Sequence, residues 1–315
     1  MATTSPESTT RVAPSPPGRG ARWAAVAVGL ARSARPKQWL KNVLVLVAPA
    51  AAGVLTQLSA ALDTALAFVA FCCAASGTYL INDARDVTAD RAHPVKRRRP
   101  VAAGVVPIRL AYVVGGLLLL AGVGVAVLTQ SPTLPFVVLA YLLLTTVYSL
   151  WLKHVVVLDM VGVAAGFVLR AIAGAAAVRV EASSWFLIVA SLGSLFIVAG
   201  KREAELRGAT LRDAGAATRS TLEHYTPQFL WYVRATTSGA LLVSYCLWAL
   251  EHHSGPTALP FGLSIVPFAV CILRYAMLVD RGDGETPEDL VLSDAILLGS
   301  GILVALALTV GIYAF

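Results

Sequence analysis

Charged side chains are scarce in this chain. Lys, Arg, Asp and Glu make up 14% of its 315 residues, against about 25% in a soluble domain. With 57% hydrophobic residues and a mean hydropathy of +0.73, that scarcity excludes an ordinary water-soluble enzyme. Cysteine is scarce as well. Cys72, Cys73, Cys246 and Cys271 all lie in apolar runs and form no CxxC pair, which excludes a disulfide framework and reads as small core residues. The five histidines are scattered without metal-ligand spacing. The formal charge is +7, but no basic stripe with interleaved aromatics accompanies it, so nucleic acid is not an expected partner.

What is present is a series of apolar runs near the length of about 20 residues that crosses a bilayer. About nine are expected, at 40–56, 62–82, 108–129, 133–152, 155–177, 184–200, 229–250, 259–279 and 292–313. The fold class is therefore an all-α, multi-pass membrane protein. Residues 1–22 read as a disordered tail rich in Ser, Thr, Pro and Gly, and 23–315 as one transmembrane domain. Ala24 to Leu30 is too interrupted for a signal peptide and suits a helix at the membrane interface. Nearly every Lys and Arg falls on alternate loops, with Arg179 the clear exception. The positive-inside rule then places the N-terminus and the loop 83–107 in the cytoplasm of a plasma-membrane protein, and the C-terminus outside.

The most informative segment is Asn82-Asp83-Ala84-Arg85-Asp86-Val87-Thr88-Ala89-Asp90, at the end of an apolar run. Ionisable groups there are costly unless they bind something. On a continuous helix, Asn82, Asp86 and Asp90 recur at four-residue steps and share a face, with Asp83 in reach. Grouped hard oxygens suit Mg²⁺ bridging to a phosphate. The same loop continues with Lys96, Arg97 and Arg99, and guanidinium forks match phosphate oxygens. Either set alone has a plain reading, as a solvated cap or as basic residues that hold a loop inside. Together in one short loop they suit a metal-bound diphosphate.

Further polar groups follow. Tyr148 and Lys153 lie in a short connection, and Asp159 and Arg170 lie inside one span. Eleven residues on a helix is about 16 Å along its axis, so Asp159 and Arg170 are not expected to pair. Lys201 and Arg202 open the next polar loop, and acids run from Asp280 to Asp294. All converge on one face, where a soluble phosphate donor would meet a lipid.

These residues resemble the UbiA superfamily of intramembrane prenyltransferases. Asn82 to Asp90 fits its NDxxDxxxD motif, and His93 to Pro100 is similar to the basic segment that follows. The resemblance runs from Arg35-Pro36-Lys37-Gln38-Trp39-Leu40-Lys41-Asn42 to the last span. It implies nine transmembrane helices around a cytosolic-facing polar cavity, with Mg²⁺ on Asn82, Asp83, Asp86 and Asp90. One departure stands out. A second motif, DxxxD, is missing, and the corresponding place reads Gly200-Lys201-Arg202-Glu203-Ala204-Glu205-Leu206. That pattern, with Arg35 to Asn42, Tyr148 to Lys153 and Gly166 to Gly174, resembles the branch that transfers phosphoribose to decaprenyl phosphate. The resemblance implies phosphoribosyl pyrophosphate as donor, a polyprenyl phosphate lipid as acceptor, and a product used for arabinan of a cell wall. On that reading Lys201 and Arg202 are candidates for the donor's 5-phosphate. Lys41, Lys153 and Arg170 are candidates for the lipid phosphate or the donor, with Asn42, Tyr148 and Asp159 as further binding groups. Two alternatives remain open: a prenyltransferase joining a polyprenyl diphosphate to an aromatic ring, and a transporter of small anions. A homo-oligomer is compatible with either.

Overall fold

The computed structural model describes residues 19–211, 221–251, 255, 258–284 and 286–314. Most of the expected tail, 1–22, lies outside them. The described residues are helical throughout: α1 (Arg19–Ser33), α2 (Leu44–Ala51), α3 (Leu58–Arg85), α4 (Val87–Ala92), α5 (Ile108–Leu128), α6 (Leu134–Leu150), α7 (Leu158–Ala177), α8 (Ser184–Leu211), α9 (Pro227–Glu251), α10 (Ala258–Asp280), α11 (Pro287–Ser293) and α12 (Ala295–Tyr313). Seven of these, α3, α5, α6, α7, α8, α10 and α12, are long and apolar enough to cross a membrane. The 25-residue α9 has the length, but Arg234 and the run Thr236 to Ser238 dilute its apolarity.

The expected first span at 40–56 is not one helix. Its place is taken by a 3-10 turn, Pro36–Val43, and then by α2, which has eight residues. At 1.5 Å per residue α2 is about 12 Å long, well short of a bilayer's hydrocarbon. The cause is local. Pro36 starts the turn, Pro49 lies inside α2, and Gly53 turns the chain at φ +70°. The short helix is nevertheless packed tightly. A Cβ on Gly174 of α7 would lie 1.9 Å from the Val45 carbonyl oxygen of α2, so only glycine permits this crossing. Small residues allow the same closeness between α3 and α5, where a Cβ on Gly122 would lie 2.9 Å from the Ala70 oxygen.

Four apolar clusters fill the described interior, two of them larger than the others. Val45, Ala67, Phe71, Leu134, Val138 and Tyr141 fill the first, among α2, α3, α6 and α7. Phe196, Leu241, Tyr275, Val279 and Leu297 fill the second, among α8, α9, α10 and α12. Large apolar side chains such as Leu117, Leu120, Leu143 and Leu306 face outward, as a lipid-immersed surface requires. The loops segregate by end. Arg179 donates to Gln130 at 3.4 Å and Tyr313 to the Ala50 carbonyl at 3.2 Å, which groups the 129–133 and 178–183 loops at one end with the C-terminus. The described Asp-rich and basic connections are joined to one another, Arg35 and Arg99 to Asp83 and Glu288 to Lys41.

Candidate active site

The Asp-rich segment does not form one helical face. α3 stops at Arg85, Asp86 leaves helical geometry (φ −89°, ψ 12°), and α4 starts anew at Val87. The break turns Asp86 outward. Its side chain is 40% exposed and meets Arg85 at 3.2 Å. The expected shared face of Asn82, Asp86 and Asp90 is therefore replaced by a convergence of Asp83 and Asp90. One nitrogen, Nη1 of Arg99, bonds Asp83 Oδ1 at 3.2 Å and Asp90 Oδ2 at 2.7 Å. Arg35 donates to the same Asp83 oxygen at 2.6 Å. Its backbone is held in the left-handed region (φ 53°) and its guanidinium lies 4.6 Å over the Tyr79 ring. Asn82 donates to the Ser149 hydroxyl at 3.2 Å, tying α3 to the end of α6.

The connection continues around the bundle. Tyr148, next to Ser149, accepts from Arg202 at 3.4 Å. Arg202 is 3% exposed and bonds Asp159 at 2.9 Å and Glu205 at 2.6 Å. Asp159 is fully buried and also accepts from the Tyr225 hydroxyl, which in turn accepts from the Val157 amide at 2.6 Å. Burial, and then the Asp159 carboxylate, push the Tyr225 phenol up. Lys201 approaches Glu205 at 3.9 Å. Glu288, on α11, takes Gln38 at 3.0 Å and Lys41 at 3.5 Å on one oxygen. Burial pushes the Lys41 ammonium down despite Glu288. Burial alone would raise the Glu288 carboxyl, but Lys41 and its other partners hold it below the usual value. Gln38 lies one turn from Arg35, so the rim closes on itself.

Arg170 lies inward of this rim, 7% exposed. It donates to Asn42 at 2.8 Å, to the Gly166 carbonyl at 2.7 Å and to Tyr141 at 2.8 Å. Among the described residues no carboxylate pairs with it, and Asp159 pairs with Arg202 instead. Lys96 and Arg97 are exposed on the 3-10 turn Lys96–Arg98, outside the rim. Lys153 is half-buried, and its carbonyl accepts from Thr221. Sequence reasoning named Arg35, Gln38 and Glu205 only within motifs and Glu288 only within the acidic run, and it missed Tyr225. Gln38 and Lys41 share a helical spacing, and that was their only local signal; the rest are brought in by tertiary packing.

For a divalent cation the fit is partial in geometry and good in chemistry. Among the described residues no three His, Cys, Asp or Glu side chains are grouped as a ready cage. Asp83 and Asp90 nevertheless flank a single cationic nitrogen, so a cation in that place would find two hard oxygens. Mg²⁺ needs no more than one or two carboxylates when a substrate phosphate completes its shell. The rest of the rim is rich in cations suited to phosphate oxygens. On the flank, an apolar groove of about 450 Å³ runs between α6, α7 and α8, lined by Leu144, Val161, Ala165, Val168 and Leu195.

A decaprenyl-phosphate phosphoribosyltransferase of Corynebacterium glutamicum is 46% identical over 278 residues, covering 86% of this chain and 83% of its own. One from Mycobacterium tuberculosis is 45% identical over 276 residues, covering 85% and 89%. A UbiA homologue from Archaeoglobus fulgidus, solved bound to GPP and Mg²⁺, shares the fold with a TM-score of 0.66 at 19% identity. It covers 91% of this chain and 100% of that one. Residues 43–300 match the UbiA prenyltransferase family. From α2 to the middle of α12, the chain belongs to that family.

Proposed function

We propose that this membrane protein transfers 5-phosphoribosyl from phosphoribosyl pyrophosphate to a polyprenyl phosphate, of decaprenyl type, and releases diphosphate. The observation that carries the reading is the basic pair Lys201-Arg202 where the wider superfamily's second Asp-rich motif is expected. Relatives named for this activity match over most of both chains. Asp83 and Asp90 at one place on the rim and Lys41 and Lys201 at another suit a donor that carries a diphosphate at one end and a phosphate at the other.

Asp83 and Asp90 would hold Mg²⁺ on the donor diphosphate, with Asp86 and Asn82 as the other members of the motif. The metal supplies charge neutralisation for the departing diphosphate. Arg35 and Arg99, already at the Asp83–Asp90 pair, supply the remaining positive charge. The bond from anomeric C1 to the diphosphate oxygen breaks, and a bond from C1 to a lipid phosphate oxygen forms. A phosphate monoester is largely ionised at neutral pH, so the acceptor needs no strong base. The burial of Asp159 and Tyr225 against Arg202 gives that guanidinium a fixed direction. The flank groove and the lipid-facing spans suit a polyprenyl tail. The distribution of Lys and Arg favours a cytoplasmic site in a plasma membrane, with the C-terminus outside. The product's chemistry fits a precursor for a cell-wall pentose polymer.

The test is direct. Purified protein in detergent with labelled phosphoribosyl pyrophosphate, polyprenyl phosphate and Mg²⁺ should yield labelled lipid. Chelation should stop it, and Asp90→Asn should abolish it. A lipid product formed only from polyprenyl diphosphate and an aromatic acceptor would replace this reading with the prenyltransferase one. The neighbour solved with GPP and Mg²⁺ makes that the arm to run first.

A further inference from the structure

Lys201 and Arg202 are adjacent in sequence but chemically unequal in place. Arg202 is committed. Asp159, Glu205 and Tyr148 take its three nitrogens, and its side chain is 3% exposed. Lys201 is not. Its nearest carboxylate oxygen is 3.9 Å away, on a Glu205 already shared with Arg202. The charges within electrostatic reach of Lys201 include both Lys41 and Glu288. Lys41 in turn lies within reach of Arg170, which has no carboxylate of its own among the described residues. Among the described residues, the carboxylates paired with Lys41, Lys201 and Arg202 are Asp159, Glu205 and Glu288.

Glu288 is the one acid in this group that comes from outside the wall of the bundle. It stands on the short α11, and a single oxygen receives both the Gln38 amide and the Lys41 ammonium. Its side chain is 13% exposed, so this is a carboxylate turned inward against Lys41 rather than a solvated loop acid. An ammonium and an amide donor on one anionic oxygen, with the Lys201 ammonium within electrostatic reach, are donors that suit a phosphate. A carboxylate occupies them with half the charge of an ionised phosphate monoester.

We infer that Gln38, Lys41 and Lys201 form a phosphate-monoester subsite whose resting occupant is the Glu288 carboxylate, displaced when substrate enters. The inference rests on the phosphoribosyl-transfer reading for the identity of the substrates, and both of them carry such a phosphate. The donor's 5-phosphate and the lipid's phosphate are the two sources. Displacement frees Glu288 from a contact that the incoming dianion makes better, so occupancy of the subsite and release of α11 from the 3-10 turn Pro36–Val43 are one event.

The experiment measures equilibrium binding of phosphoribosyl pyrophosphate, and separately of farnesyl phosphate, to full-length protein in detergent. The variants are Glu288→Gln, Lys41→Met, and both together. Glu288→Gln keeps shape and one acceptor but removes the competing charge. It should tighten one of the two ligands by roughly fivefold and leave the other unchanged; the ligand that responds is the occupant. Lys41→Met should weaken that same ligand and cancel the gain in the double variant. Equal affinities in wild type and Glu288→Gln, or weaker binding of either ligand, would overturn the subsite. If Glu288→Gln misfolds, Lys201→Met must still weaken the ligand that Lys41→Met weakens, and no other. Because binding is read without turnover, tightened binding with no labelled lipid product would sink the transfer reading and leave the subsite standing.

Discussion

Replacing Asp159 with Asn should destabilise the protein far more than any change in the Asp-rich segment's exposed member. Asp159 has 0% side-chain exposure and Arg202 has 3%, and the pair is joined at 2.9 Å. Asn preserves volume and keeps an acceptor for Tyr225, so packing is spared and the loss is that of charge. A buried cation stripped of its partner costs about 3–5 kcal/mol. Glu205 remains on Arg202 at 2.6 Å, which puts the expectation at the lower end, about 3 kcal/mol. The control is Asp86→Asn. That carboxylate and its Arg85 partner are 40% and 33% exposed, and pairs of that kind contribute roughly 0–1 kcal/mol. The assay is reversible unfolding in mixed micelles, followed by helical signal against denaturing detergent. The second arm is Arg202→Met in the Asp159→Asn background. Removing the stranded cation should recover about half the loss or more, because the penalty belongs to the unpaired charge and not to the missing bond. Unfolding of Asp159→Asn within about 1 kcal/mol of wild type would refute the reasoning, as would strictly additive losses in the double variant.

Two other outcomes follow from single contacts. Gly174→Ala forces a Cβ to within 1.9 Å of a backbone oxygen on α2, and since backbone cannot step aside, the loss should reach about 3 kcal/mol or more in the same unfolding assay; a neutral result would mean α2 is not seated on α7. Arg274 and the Leu297 amide hold the Asp294 carboxyl well below its usual 3.8, at about 2, so its contribution to docking α12 is complete above about pH 4 and disappears as pH falls toward 2. Unfolding midpoints of wild type and Asp294→Asn should therefore differ at pH 6 and converge at pH 2, and a gap that persists to pH 2 would count against the ion pair as its source.

Long apolar runs with polar ends were legible because lipid demands them: 108–129 emerges as Ile108–Leu128 and 259–279 as Ala258–Asp280. The run at 40–56 misled because hydropathy does not register backbone geometry. Pro36, Pro49 and Gly53 break a stretch whose composition alone suits a span. The Asp-rich segment misled in the same way. Its spacing presumes an unbroken helix, and the break at Asp86 hands the convergence to Asp83 and Asp90, seven residues apart. The separation of Asp159 from Arg170 was legible, since it needs only the rise of a helix. Their actual partners, Arg202 and Asn42, were not, because they come from residues 43 and 128 positions away. The acids from Asp280 to Asp294 looked alike in sequence and do three different things. Asp280 takes Arg234, Asp294 caps α12 and takes Arg274, and Glu288 turns inward to Lys41.

The two buried arginines of the site frame its chemistry by contrast. Arg202 is neutralised twice over, by Asp159 and Glu205, and a guanidinium so paired is held in one orientation. Arg170, also buried, is given an amide, a carbonyl and a phenol among the described residues and no carboxylate. Those groups satisfy its hydrogen bonds and leave its charge uncompensated, which is costly in a low-dielectric interior. Tyr141 and Phe167, whose rings flank its guanidinium at 4.7 and 5.6 Å, offset a part of that cost. The remainder is relieved whenever an anion enters the rim. Lys41 and Lys201 add to this excess of cations over carboxylates, whereas Asp83 and Asp90 are matched by Arg35 and Arg99. A ligand with phosphoryl groups at both ends would be oriented by that difference before any specific bond forms, its metal-bearing diphosphate toward the aspartates and its bare phosphate toward the lysines. On the proposed reading, the basic residues in place of a second Asp-rich motif allow a donor with one metal-bound end and one free phosphate to lie in a single direction.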